Sequence, residues 1–177
     1  MSIKLIAVDM DGTFLSDAKT YSRPRFLAQY QRMREQNIRF VVASGNQYYQ
    51  LISFFPEIAH QIAFVAENGG WVVSGNEDVF NCQLPVHHFN AVVDHLQTLP
   101  NIEIIACGKR SAYTLNRYND ALKTVAAKYY HRLELVDDFN HLDDTILKFG
   151  LNVPVSLIPE IQPKLHATLG DMVTAVA

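Results

Sequence analysis

Apolar residues in the N-terminal part of the chain come in short runs, each closed by a small or acidic polar cluster. Leu5-Ile6-Ala7-Val8 runs into Asp9-Met10-Asp11-Gly12-Thr13, Ile38–Ala43 into Ser44-Gly45-Asn46, and Ile62–Ala66 into Glu67-Asn68-Gly69-Gly70. Runs of this length, bounded by turn residues, predict buried strands. Between the first two, Phe26, Leu27, Tyr30 and Met33 recur at helical spacing. Ser22 is placed to cap that helix, Pro24 sits in its first turn and Asn37 marks its stop. A second helix carries Tyr48, Leu51, Ile52 and Phe55 and is closed by Pro56. Strand, helix, strand is a βαβ unit with parallel strands and a right-handed crossover. All three strands then deliver polar or acidic residues to one sheet edge.

The pattern changes at Trp71. Trp71-Val72-Val73 and Val79-Phe80 flank Ser74–Asp78 as a hairpin. A helix follows over His88–Leu99, stopped by Pro100. Strands are expected at Ile102–Cys107 and Ala112–Leu115, and a helix opens at Asp120 with Leu122, Val125, Ala126 and Tyr129 on one side. Strands at Leu133–Val136 and Ile146–Val153, a short helix at Ile158–Leu165 and a last apolar run, Met172–Ala177, complete the chain. The boundary falls between about Gly70 and Leu84. The expected organisation is a core over residues 1–80 and a second α/β domain over 81–177, with no repeat or low-complexity tract.

Composition narrows the function classes. Of the 177 residues, 49% are hydrophobic and 19% charged, the balance of a folded globular protein. A net charge of −3 supplies no basic face for nucleic acid. The apolar runs are too short to cross a bilayer, and the N-terminus reaches Asp9 too soon for a secretory signal. A cytoplasmic protein with reduced Cys82 and Cys107 is the expectation. His87-His88 offers no second ligand pair and reads as surface or packing. Gly108-Lys109-Arg110-Ser111 is either a substrate-contacting or a solvated turn.

The chemistry points to the first strand end. Side chains alternate along a strand, so Asp9 and Asp11 are expected on one face with Cα atoms about 6.5 Å apart. Acids at the C-terminal ends of parallel strands lie where open α/β sheets place ligands, and Gly12 permits a sharp turn and close ligand approach. Ser44 is expected to cap the following helix, whose backbone N–H groups form an anion site. Thr13 serves the turn or a phosphate, and Asn46 contacts substrate or caps the helix. Glu67-Asn68 reads as structural support. Tyr48, Tyr49, Phe54 and Phe55 read as packing.

Asp9-Met10-Asp11-Gly12-Thr13, with Ser44-Gly45 closing the second strand, resembles the haloacid dehalogenase (HAD) superfamily. Val65-Ala66-Glu67-Asn68-Gly69-Gly70 resembles its Cof-type subgroup, and Ser44–Leu51 is similar to bacterial cytoplasmic sugar phosphatases of that subgroup. The resemblance implies an α/β fold, a HAD-like Rossmannoid parallel core with an inserted α/β cap. It implies Mg²⁺-dependent hydrolysis of a small phosphorylated metabolite such as a sugar phosphate. Asp9 would be the nucleophile and Asp11 the acid/base, one of the pair having a raised pKa. The Asp9 carboxylate and the Asp11 backbone carbonyl would hold the metal. Met10, Gly12, Thr13, Ser44, Gly45 and Asn46 would receive the phosphoryl group.

A receiver-type signalling domain wants adjacent acids after its first strand, and a dehalogenase lacks the second acid that Asp11 supplies. The family pattern also continues into a lysine and a Gly-Asp-x-x-Asn-Asp type turn, which this sequence does not contain. The expectation is therefore the N-terminal portion of a phosphatase, C-terminally truncated and weakly active or inactive alone. The alternative is a non-catalytic product that binds a partner or dimerises through an exposed sheet edge.

Overall fold

A computed structural model describes residues 3–176; the outermost residues of the expected domains, 1, 2 and 177, lie outside the described residues. The chain divides into two compact units. One comprises the described residues through Cys82 with Tyr129–His131, the other Gln83–Lys128 with Arg132 onward.

The first unit is a five-stranded sheet in chain order, β1 (Leu5–Asp9), β2 (Arg39–Ala43), β3 (Ala63–Ala66), β4 (Trp71–Ser74) and β5 (Glu77–Asn81). β1–β2 and β2–β3 pair in parallel, as a βαβ order requires, while β4 and β5 add an antiparallel hairpin. Its turn is tighter than expected: Gly75 takes φ +63°, a left-handed position that glycine occupies without penalty. α1 (Arg23–Glu35) starts after Ser22 with Pro24 in its first turn and stops before Asn37, which takes φ +54°. The Ser22 side chain makes no capping bond. α2 is short, Tyr48–Ser53.

Strand alternation decides what the sheet buries. Ile6, Val8, Phe40, Val42, Phe64 and Ala66 fall on one face and pack with Phe26 and Tyr30 of α1, Leu51 of α2, and Phe55. Phe14, Tyr21, Phe26, Phe40 and Phe55 form a ring cluster whose neighbouring centroids lie as close as 4.9 Å. Phe55 is fully buried, so Phe55→Ala would cost about 3–5 kcal/mol. The expectation of a buried first strand needs correcting. β1 lies at the end of the sheet order, its Leu5, Ala7 and Asp9 are exposed, and Leu5 keeps 51% of its surface. An apolar run identifies the strand but not its place in the sheet.

The second unit is a four-stranded sheet in the order β8-β7-β6-β9: β6 (Glu103–Gly108), β7 (Ala112–Leu115), β8 (Leu133–Val136) and β9 (Ile146–Asn152). β6 pairs antiparallel with β7 and β9, and β7 pairs parallel with β8 through the crossover helix α4 (Asp120–Tyr129). α3 (Val86–Thr98) sends Phe89, Val92, Val93 and Leu96 into a core with Ile104, Ala106, Tyr113 and Leu115. Leu165 and Leu169 of α5 (Ile158–Leu169) complete it. α5 runs past the expected Leu165 and through Pro163. Met172, Val173 and Ala175 then pack against the core without forming a strand. Among the described residues no helix is long and apolar enough to cross a membrane. Neither Cys82 nor Cys107 is in a disulfide among the described residues.

Candidate active site

The parallel register places Asp9 opposite Ala43, and Ala43 opposite Val65, so β1, β2 and β3 end in one row. Beyond Asp9 the chain leaves the strand at once. Met10–Phe14 form a five-residue turn closed by the Leu15 amide donating to the Met10 carbonyl at 2.9 Å. Gly12 takes φ +72°, which a side chain would strain. The Met10 side chain is completely buried and anchors the turn, leaving only its backbone for a ligand. Asp9, Asp11, Gly12 and Thr13 are exposed. Met10 is buried between exposed Asp9 and Asp11, the alternation expected of these positions, although Asp11 belongs to the turn and not to the strand.

The two acids have different surroundings. No described hydrogen bond or ion pair engages the Asp9 carboxylate. Asp11 has a donor on each oxygen: Lys19 Nζ at 2.5 Å on Oδ1 and Asn46 Nδ2 at 2.9 Å on Oδ2. The Lys19 hydrogen bond holds the Asp11 carboxyl below its ordinary pKa against a smaller opposing effect of burial, and the Asn46 bond adds to the lowering. Lys19 is raised in turn, chiefly by the same bond. The raised member expected of this pair is thus not Asp11, because a hydrogen-bonded ammonium dominates its surroundings.

The ends of β2 and β3 are stitched together. Ser44 N–H donates to the Val65 carbonyl at 2.9 Å, Glu67 N–H to Asn46 at 3.2 Å, and Asn68 N–H to Ser44 at 3.3 Å. Glu67 and Asn68 both have left-handed backbone, and Glu67 is buried. The Asn68 carboxamide lies over Gly45, where any Cβ would overlap its Oδ1; Gly45 is there for close approach. These contacts give Glu67-Asn68 a supporting place. Ser44 is not a helix cap: its Oγ accepts the Asn46 N–H at 3.2 Å, while α2 begins only at Tyr48 with Gln47 as its capping position. The first turn of α2 therefore lies beyond Ser44, at Tyr48. Asn46 neither caps nor stands free, since its side chain is committed to Asp11.

In the second unit the Gly108–Ser111 turn is built on Asp144, whose role the sequence did not reveal. Arg110 N–H donates to both carboxylate oxygens at 3.2 and 2.9 Å, Ser111 N–H at 3.2 Å, Thr145 N–H at 2.7 Å and Tyr113 Oη at 2.9 Å. Burial, then the Asp144 hydrogen bond, pushes the Tyr113 phenol up to about 12. The His87 and His88 rings meet edge to face with centroids 4.3 Å apart. Among the described residues no group of three or more His, Cys, Asp or Glu side chains is placed to hold a metal.

Lys19 is the functional candidate that sequence reasoning missed. A lone lysine in a polar loop carries no periodic or motif signal, and only the fold brings it to Asp11.

Residues 6–176 match the family model of the haloacid dehalogenase-like hydrolases. The chain is 68% identical over 176 residues to the 5-amino-6-(5-phospho-D-ribitylamino)uracil phosphatase YbjI of Escherichia coli (strain K12), covering 99% of this chain and 65% of that protein. Its fold is similar to that of SMU.1108c from Streptococcus mutans UA159, with TM-score 0.86 and 30% identity, over 93% of this chain and 62% of that one. It is similar also to that of a haloacid dehalogenase-like hydrolase from Bacteroides thetaiotaomicron, with TM-score 0.83 and 20% identity, over 99% and 68%. The α/β fold, the strand-end acids and the family match over nearly the whole sequence agree: the chain belongs to the haloacid dehalogenase-like hydrolases.

Proposed function

We propose that the protein is a cytoplasmic phosphatase of small phosphomonoesters, with Asp9 as nucleophile and residues 81–177 as its cap. The observation that carries the reading is the contrast at the end of β1. Asp9 is exposed and unengaged, while the neighbouring Asp11 is held by two donors. A carboxylate oxygen of Asp9 attacks phosphorus, the P–O ester bond breaks, and an aspartyl-phosphate forms. Asp11 gives a proton to the leaving alkoxide and later takes one from the water that hydrolyses the acyl phosphate, a role worth about 10²–10⁴-fold. Resting Asp11 is biased toward the ionised form that the second step uses. An arriving phosphate dianion raises its proton affinity for the first. Backbone N–H groups of Met10, Gly12 and Thr13, with the Ser44 hydroxyl and Gly45, receive the phosphoryl oxygens. Asn46 serves the site through Asp11.

The donor atoms at this strand end are all oxygen, which suits Mg²⁺. The Asp9 carboxylate and the Asp11 backbone carbonyl would hold it, and the bound ion would neutralise charge on the phosphoryl oxygens. The described residues supply two acids there and no cluster of three, so turnover by this chain alone is expected to be weak. The E. coli relative is named for a phosphorylated ribitylamino compound. A phosphate on a terminal carbon of a polyol or sugar is the substrate class proposed here.

The test is phosphate release from ribitol 5-phosphate, sugar phosphates and an aryl phosphate with Mg²⁺, comparing the native chain with Asp9→Asn. Release that disappears in the variant supports the reading. Equal release from both proteins overturns it.

A further inference from the structure

We propose that Lys19 is a positioning residue for Asp11, holding one carboxylate oxygen while Asn46 holds the other. This deepens the phosphatase reading above and rests on it for its kinetic consequence. The geometry itself stands on contacts within the first unit.

Lys19 Nζ donates to Asp11 Oδ1 at 2.5 Å and Asn46 Nδ2 donates to Oδ2 at 2.9 Å. The donors come from different segments, one from the loop after the Met10–Phe14 turn and one from the end of β2. With one donor per oxygen, rotation of the carboxylate about its Cβ–Cγ bond breaks both hydrogen bonds.

An exposed ion pair is ordinarily worth little and is easily exchanged for water. The backbone sets this one apart. Lys19 takes φ +56°, the left-handed region that lysine seldom occupies outside a stabilised turn. The turn holding it is closed at several points. Ser16 N–H donates to the Thr20 carbonyl at 2.9 Å, Lys19 N–H donates to the Ser16 carbonyl at 2.8 Å, and Ser16 Oγ donates to the Thr20 carbonyl at 3.0 Å. This closed turn fixes where the Lys19 side chain leaves the loop, so less freedom is lost when its ammonium meets the acid. The constrained residue is the one whose ammonium reaches the acid.

Positioning Asp11 matters most where its proton matters most. A poor leaving group, such as the alkoxide of a polyol, needs protonation as the P–O bond breaks. A nitrophenolate does not. Loss of Lys19 should therefore separate substrates by leaving group, a split that general damage to the fold does not produce.

The experiment has two arms on the same chain. In the first, ¹H–¹⁵N NMR of the Lys19 ammonium at low temperature looks for slowed exchange and a through-hydrogen-bond coupling to the Asp11 carboxyl carbon. The coupling is expected in the native chain and absent in Asp11→Asn. A rapidly exchanging ammonium with no coupling overturns the proposal whether or not the chain turns over substrate. In the second, with Mg²⁺, Lys19→Met is expected to lower kcat for ribitol 5-phosphate about 10–100-fold, part of the general-acid effect, and kcat for p-nitrophenyl phosphate less than about threefold. KM is expected to stay unchanged and Lys19→Arg to restore most of the loss. Equal losses on both substrates, or no rescue, overturn the positioning role. If the native chain releases no phosphate from any substrate, the phosphatase reading fails for this chain, and the NMR arm alone decides where Lys19 sits.

Discussion

Two aspartates in this molecule are gathered by turns and differ in how completely they are satisfied. Asp144, in the second unit, receives backbone N–H groups from Arg110, Ser111 and Thr145 and the Tyr113 hydroxyl, and the Gly108–Ser111 turn takes its shape around it. Asp11, in the first unit, receives two flexible side chains and is exposed, and its neighbour Asp9 receives nothing described. A carboxylate saturated by backbone donors is fixed in structure, and changing its bonding would break a turn. A carboxylate left open, or held by side chains that can follow it, is able to exchange protons or attack. Acid content does not separate the two places, but the donors do.

The sharpest way to break the comparison is at Asp9. Asp9→Asn is expected to remove phosphate release by at least about 10³-fold while leaving the denaturation midpoint in place, since no described contact is lost. Asp11→Asn comes next, with a loss of about 10²–10⁴-fold that is greatest on alkyl phosphates. Asp144→Asn should show the opposite profile. An amide NH₂ facing backbone N–H groups leaves donors unsatisfied, at a cost of about 1–3 kcal/mol measured by urea denaturation, with substrate turnover little changed.

Smaller effects follow pH. Tyr113, with its phenol raised to about 12, binds its proton more tightly folded than unfolded. Its contribution to stability is complete below about pH 10, the ordinary phenol value, and is lost as pH rises toward 12. Asp144→Asn should flatten that alkaline loss. Asp11 acts with the opposite sign. Its lowered pKa contributes stability above the ordinary carboxylate range and loses it as pH falls through the lowered value. The pair is largely exposed, so the change should be small, and Lys19→Met should abolish it.

The elements of the fold were largely legible because period carries them. The β1–α1–β2 order, the hairpin after Trp71 and the strands Ile102–Cys107 and Ala112–Leu115 all follow from runs, spacing and turn residues. What the sequence hid were relations between distant positions. The exposure of Leu5 depends on β1 being the end strand. Ser44 bonds Asn46 instead of capping a helix because α2 starts only at Tyr48, its first apolar position, beyond the reach of Ser44. Gly45 looked like a phosphate-loop glycine, and the structure gives it a second reason, the carboxamide of Asn68 lying over it. Lys19 and Asp144 act through partners that periodicity cannot connect. The acids themselves were visible because Asp-x-Asp-Gly-Thr after a strand is a local signal. The resemblance also implied a division of labour between them, but not which of them the fold supplies with donors.

Nucleophilic attack by Asp9 is open to chemical trapping: the chain is mixed with phosphomonoester and Mg²⁺, quenched, reduced with borohydride and mapped by mass spectrometry. Reduction of an acyl phosphate at position 9 is expected, yielding homoserine there and nowhere else, with no product in Asp9→Asn. Trapping at another carboxylate, or undiminished phosphate release by Asp9→Asn, would contradict it.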